Sequence, residues 1–402
     1  MENERKCLLT INLLVQIIFA FFDIFFGIYV YDISKDLNLI IYYTLINSIS
    51  FYLILLILYR FINQKLLSVL YKCSFVMSLI AIALTFTISS TRIYMVFIVQ
   101  IFLKLTHICY YLPHEVATMN KNSKNHMKKF LGLSSTLSLI AGFISPFVSG
   151  LIIDYASYYI VFGVLLVLAA IAFILSFYIK IQKNNVGPYG LIKFAKEVRQ
   201  VKGSTVGYLS YLFYTLCNDG IVASFLPILI FLRTGTNFSV GIYSAVASVL
   251  SGIALIMYCY FSKNKRLAMW LCTIFQIATA ILIIAWNNIV VFFIYYFVKK
   301  ITSKILHNGT NECIFTILHN TSLEPYKTEN YYTYNFYHQV GIIIACGISL
   351  LVYNLANNTI SISILLAAFS LTQIISTLLL NKSDKYLAAN KCKTDVTSVT
   401  KC

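Results

Sequence analysis

The sequence predicts an all-α integral membrane protein of twelve transmembrane helices in two pseudo-symmetric six-helix bundles, with both termini cytoplasmic. Three observations carry that expectation: an apolar composition, twelve apolar runs of spanning length, and a one-sided distribution of basic residues. Of the 402 residues 59% are hydrophobic and only 11% charged, and mean hydropathy is +0.80. That leaves too little polar surface to cover a water-soluble globule of this size. The formal charge of +17 does not indicate nucleic acid, which would need the basic residues gathered on one soluble patch. Here they sit in short loops between apolar runs.

A spanning helix needs roughly 20 mainly apolar residues. The first such run, 8–31, follows a charged head and continues past Tyr31 without a small-residue cleavage site, so it reads as a retained helix rather than a signal peptide. Segments 38–60, 67–89 and 93–113 come next, punctuated by Lys35, by Arg60 and Lys65, and by Arg92. After the basic stretch Lys121 to Lys129 come 130–153 and 157–179. Beyond a second basic stretch lie 205–232, 239–261, 267–286, 289–307, 335–355 and 359–380.

Lys and Arg are retained on the cytoplasmic side. With the N-terminus inside, only Lys35, Arg92 and Arg233 fall outside, while Lys104, Lys299 and Lys300 lie within segments and the rest of the 31 basic residues lie inside. The longest basic connection divides the chain into an N-terminal bundle 1–180, a cytoplasmic linker 181–203, a C-terminal bundle 204–381 and a cytoplasmic tail 382–402. Within the linker, Leu191, Phe194, Ala195, Val198 and Val201 recur at helical spacing among Lys193, Lys196 and Arg199, as in a short amphipathic helix on the inner leaflet. A plain solvated linker is the alternative.

Charges at membrane depth recur in both halves. Asp23 sits among Phe21, Phe22 and Phe25, and Asp219 follows Cys217 and Asn218 at the matching point of segment seven. Lys104 precedes Thr106 in segment four as Lys300 precedes Thr302 in segment ten, with Glu115 and Glu312 near the inner ends. An ionised group at the bilayer centre costs on the order of 3 kcal/mol or more, so such residues face a protein interior or a wet cavity. Asp23, Asp219, Lys104 and Lys300 are therefore the candidate proton-coupling and cavity residues; Lys300 is preferred over adjacent Lys299 because it aligns with Lys104. Structural ion pairs Asp23–Lys104 and Asp219–Lys300 are the alternative. Phe22, Asn218, Tyr296 and Gln339 are candidate substrate-cavity residues, and His107, His307 and His338 serve either as structural hydrogen-bonding groups or as a proton relay.

Six plus six helices, internal termini, a basic central loop and charges on segments one, four, seven and ten together resemble the major facilitator superfamily. The resemblance covers nearly the whole chain, and it implies that those four helices line a central cavity. The family's Gly- and Arg-rich loop pattern between helices two and three is absent from Arg60-Phe61-Ile62-Asn63-Gln64-Lys65, and only Lys263-Asn264-Lys265-Arg266 remains in the matching loop. The stretch Ala141 to Gly150 is similar to the small-residue motif of the family's antiporters, with Pro146 and Gly150 as gating and helix-bending residues.

The resemblance implies a secondary transporter, with proton-coupled export of a small amphipathic solute by alternating access as the first reading. A carboxylate in a low-dielectric cavity has a raised proton affinity, which makes Asp23 and then Asp219 the proton carriers. Import of a small metabolite, or a membrane enzyme acting on lipid or cell-wall precursors, are the alternatives. No catalytic residues are expected, no phosphate-cradling loop occurs, and the ten scattered cysteines form no Cys-x-x-Cys pair, so no metal or other cofactor is expected. The expected partners are a small-molecule substrate, protons and the lipid bilayer, with the chain a monomer in a bacterial plasma membrane.

Overall fold

The computed structural model describes residues 2–61, 64–121, 124–179, 191–201, 203–261, 264–286, 288–319, 327–356 and 359–399. Loop residues 62–63, linker residues 181–190, Lys202, Lys263 and tail residues 400–402 lie outside the described residues. Every regular element among the described residues is helical. The first span joins α1 (Glu2–Phe21), a π-helical turn (Phe22–Phe26) and α2 (Gly27–Ser34). It is followed by α3 (Leu37–Phe61), α4 (Gln64–Thr85), α5 (Met95–Lys121), α6 (Lys124–Tyr155) and α7 (Tyr158–Ser176). A short α8 (Leu191–Gln200) then leads to α9 (Ser204–Asn218) and α10 (Ile221–Thr234). The remainder is α11 (Asn237–Phe261), α12 (Lys265–Ala285), α13 (Ile289–His319), α14 (Lys327–Ala356) and α15 (Thr359–Val399).

Eleven helical stretches among the described residues are long and apolar enough to cross a membrane, so the chain is a multi-pass membrane protein. The tenth expected segment, 289–307, does fold as the start of α13. Lys299, Lys300 and Lys304 make it too charged to qualify on apolarity. Several helices outrun the expected ends. Residues 382–399, expected as a tail, continue α15, because Lys382 to Lys393 holds good helix formers and neither Gly nor Pro.

By packing, the chain forms two compact units: Met1–Asn185 with Ala223–Val249, and Val186–Val222 with Leu250–Cys402. Thus α10 and the first half of α11 pack with the N-terminal helices. In the first unit Phe21, Phe25, Phe162 and Tyr29 interlock by edge and stacked contacts, while Leu8, Ile11, Tyr71, Phe75 and Tyr110 form a second buried cluster. In the second unit Tyr208, Tyr211, Tyr214, Leu306 and Ile317 form the core, joined by Phe194 and Val198 of α8. The amphipathic helix expected in the linker is therefore present, with Phe194 and Val198 packed into protein and Lys193, Lys196 and Arg199 exposed. Leu53, Ile57, Val167, Ile274 and Phe275 are outward-facing, as lipid-solvated helices require.

The expected small-residue motif brings α6 against α11 backbone to backbone. A Cβ on Gly150 would lie 2.6 Å from the Asn237 carbonyl oxygen, and one on Gly241 would lie 2.5 Å from that of Pro146. Only glycine permits this approach. Pro146 is buried inside a helix that continues on both sides of it.

At the end of the same contact, Asp154 caps α11 from another helix. The Asn237 N–H and side-chain amide each donate to Oδ1 at 3.0 Å, and the Phe238 N–H donates to Oδ2 at 2.8 Å. The Tyr158 hydroxyl donates to Asn237 Oδ1 at 2.7 Å. Helix N-termini carry unsatisfied N–H groups and a partial positive charge, so a carboxylate there satisfies both.

Asp154→Ala should lower stability by about 1 kcal/mol, the usual worth of an N-cap. Gly150→Leu should lower it by more, since α6 and α11 must separate. Thermal unfolding of the purified protein in detergent, compared with wild type, checks the order.

Candidate functional site

Both mid-membrane aspartates occupy interruptions of a spanning helix. Asp23 lies in the π-helical turn, on an exposed position, with Phe22 and Phe25 buried on either side. Such turns are rare and concentrate at functional sites. The next residue after the turn, Gly27, is held close to its neighbours, since a Cβ there would sit 2.8 Å from Tyr43 Oη. Lys104 of α5 projects over the Phe51 ring with Nζ 5.6 Å from its centroid and lies within coulombic reach of Asp23. The two charges expected to pair in the N-terminal half are thus brought together.

In the C-terminal half the interruption is complete. α9 stops at Asn218, Asp219 is extended, and Gly220 adopts φ +58° before α10 resumes. A side chain at 220 would be strained, and its Cβ would meet Ile342 Cγ2 at 2.6 Å. A break of this kind leaves carbonyl groups without helical partners, and inside a span they need partners from the protein. One helix supplies a replacement donor to the backbone, and two others hold the side chains at the break. Lys299 of α13 donates from Nζ to the Cys217 carbonyl at 2.6 Å, with Cys217 Sγ at 3.3 Å. Gln276 of α12 donates to Asn218 Oδ1 at 3.1 Å and to Cys217 Sγ at 2.8 Å. The Asn218 side-chain amide donates to Gln373 Oε1 of α15 at 2.8 Å, and Thr302 donates to Gln276 Oε1 at 3.3 Å.

The lysine at this break is Lys299, 2% exposed, and not Lys300. Lys300 is half-buried with Nζ 6.0 Å from the Tyr296 ring centroid, whereas Lys299 lies within coulombic reach of Asp219. Adjacent residues on a helix point about 100° apart, so the two lysines have different surroundings, and the one at the Cys217 carbonyl is not the one that aligns with Lys104 by spacing.

Asp219 has a partner that spacing did not single out. His338 Nε2 lies 3.2 Å from Asp219 Oδ2, and His338 Nδ1 lies 3.1 Å from Gln339 Nε2. Both His338 and Asp219 remain partly accessible, at 23% and 31% of their side chains. His307 faces the same carboxylate, and Tyr211 packs between the two imidazoles at 5.7 Å and 6.2 Å. Because α14 begins at Lys327 rather than near 335, His338 lies about 16 Å along the helix instead of at its mouth.

The four candidate substrate-cavity residues, Phe22, Asn218, Tyr296 and Gln339, are all buried. Phe22 packs against Phe21 and Phe26, Tyr296 against Phe297, and Asn218 and Gln339 make the contacts already described. Sequence reasoning missed Gln276 and Gln373, whose signal was a lone carboxamide midway along an apolar segment. Among the described residues no group of His, Cys, Asp and Glu could hold a metal ion.

A multi-pass helical protein whose spanning helices are interrupted at carboxylates resembles the construction of secondary transporters. The sequence profile of the Major Facilitator Superfamily matches residues 11–346, and the chain belongs to that family of membrane transporters. Among solved structures, the crystal structure of a mutant of the nucleoside transporter NupG aligns with TM-score 0.73 at 11% identity, covering 94% of this chain and 99% of that one. A bacterial metal transporter aligns with TM-score 0.62 at 13% identity, covering 94% and 98%. No curated protein matches the chain.

Lys299→Ala removes the cation that satisfies the end of α9 and should cost about 1–3 kcal/mol, whereas Lys300→Ala should cost clearly less. Thermal unfolding of both variants in detergent decides this; equal losses would mean that the two lysines share the role.

Proposed function

We infer that the chain is a proton-coupled transporter that exports a small amphipathic solute by alternating access across a bacterial plasma membrane. It spans that membrane as six plus six helices with α13 as the tenth span, has both termini cytoplasmic, and works as a monomer. The single observation that carries the proton coupling is the Asp219–His338 pair, set at a complete helix break inside a span and still partly open to water. A carboxylate and an imidazole 3.2 Å apart can hold a proton between them and release it when the accessible face changes. Asp23 beside Lys104 is the equivalent acid in the other half. Export draws support from the α6–α11 contact at Pro146, Gly150 and Gly241, which is built like the antiporter motif.

The competing reading is import of a small polar metabolite. The amides of Gln276, Asn218, Gln373 and Gln339 favour it, being groups suited to hydrogen-bonding a polar solute, as does the fold shared with a nucleoside transporter.

Everted membrane vesicles acidified inside separate the two. Ethidium should accumulate in vesicles carrying the chain, and an uncoupler, Asp219→Asn or Asp23→Asn should abolish the accumulation. Accumulation indifferent to the uncoupler removes proton coupling. Gradient-driven uridine movement in the opposite direction, with no ethidium transport, replaces export by import.

A further inference from the structure

Gln339 holds an unusual position. It is 3% exposed, and its Nε2 faces His338 Nδ1 at 3.1 Å. Its Oε1 is buried with no hydrogen-bond partner among the described residues. A buried amide carbonyl left unmade costs about 1–3 kcal/mol, so the orientation is maintained by what the other end of the amide does. That end can donate only if His338 Nδ1 is a bare acceptor. The proton of a neutral His338 then sits on Nε2, donated to Asp219 Oδ2.

When His338 takes a second proton, Nδ1 becomes a donor and would confront the Gln339 N–H donor. Rotation of the carboxamide by a half-turn about its last torsion relieves the conflict. Oε1 then accepts from Nδ1–H, while the amide N–H gives up its bond to Nδ1 and turns to the place the oxygen left. The backbone need not move, and the two ends of an amide are nearly the same size. We propose that Gln339 is a positioning residue whose carboxamide turns over with each proton taken up or released by His338. It fixes the neutral tautomer so that Nε2–H always addresses Asp219, and it supplies the acceptor that the charged ring requires.

This rests on the proton-coupled reading of the Asp219–His338 pair and goes beyond it by assigning the residue that reads the proton. The charged and titratable groups around His338 are Asp219 and the phenols of Tyr211 and Tyr214 at the end of α9, and His307, Lys299 and Lys304 from α13. On its own helix it has the phenols of Tyr334 and Tyr337. From α15 the group at the break is the neutral carboxamide of Gln373. Among the described residues the hydrogen-bond partner of Nδ1 is the Gln339 amide, so that amide governs the nitrogen.

The test uses the full-length protein labelled with ¹⁵N-histidine in detergent, His338 being assigned from the spectrum of His338→Gln, together with the pH profile of ethidium accumulation in everted vesicles. Wild type should show neutral His338 as the Nε2–H tautomer alone. Gln339→Met, which keeps the volume and removes the amide, should give a mixture of both tautomers. Gln339→Glu, which offers a permanent acceptor, should place the proton on Nδ1 and move the pH profile of accumulation upward by about one unit or more. A structural role would lower thermal stability in both variants without altering tautomer or profile, and that result overturns the proposal. Tautomers that respond to Gln339 in a protein whose transport ignores uncouplers would refute proton coupling while leaving the amide rotation intact. Uncoupler-sensitive transport with unresponsive tautomers would do the reverse.

Discussion

The ammonium of Lys299 against the Cys217 carbonyl is the contact on which the C-terminal half depends. Ending a helix in mid-membrane leaves several carbonyls without partners, and hydrocarbon supplies none. A buried cation at a helix C-terminus meets the hydrogen-bond demand and the negative end of the helix dipole together. Once α9 ends there, Asp219 can leave the helical path, and Gly220 can turn the chain into α10. The amides of Gln276 and Gln373 then close around Asn218. The lysine is costly to bury alone and so is the broken helix. Each removes most of the other's penalty.

The two halves solve the same problem differently. Around Asp23 the helix only widens into one π turn, so that its hydrogen bonds shift to i→i+5 rather than being lost, and Lys104 lies over the Phe51 ring. Around Asp219 the helix is severed and three neighbouring helices are recruited. The first arrangement leaves the carboxylate exposed; the second surrounds it with two imidazoles and a lysine. A sequence repeat of charges has therefore become two unlike environments, in which Asp219 is the more constrained acid.

The fold was legible because hydrophobic length and basic-residue placement are strong signals, and because Asn218-Asp219-Gly220 is turn chemistry lodged in an apolar run. Segment 289–307 folds as helix, and its lysines are the feature that keeps α13 from standing among the apolar spans. Side-chain partners were less legible. Choosing between Lys299 and Lys300 needed the azimuth of α13, which spacing within one segment does not supply. Pairing His338 with Asp219 needed the true start of α14, hidden because Lys327, Glu329 and the tyrosines after them look like a loop. Gln276 and Gln373 are single amides that acquire meaning only when four helices converge on one residue.

The capping of α11 by Asp154 has a consequence for how that end of the molecule yields. The carboxylate holds backbone amides, which cannot rotate away to find substitutes as side chains do. If α6 and α11 part, both the bared anion and the bared peptide nitrogens must be hydrated at once, while the glycine contact below them admits no solvent until the helices have already moved. Opening at that end is therefore a wetting transition: it proceeds from the rim inward, at the rate at which water can follow.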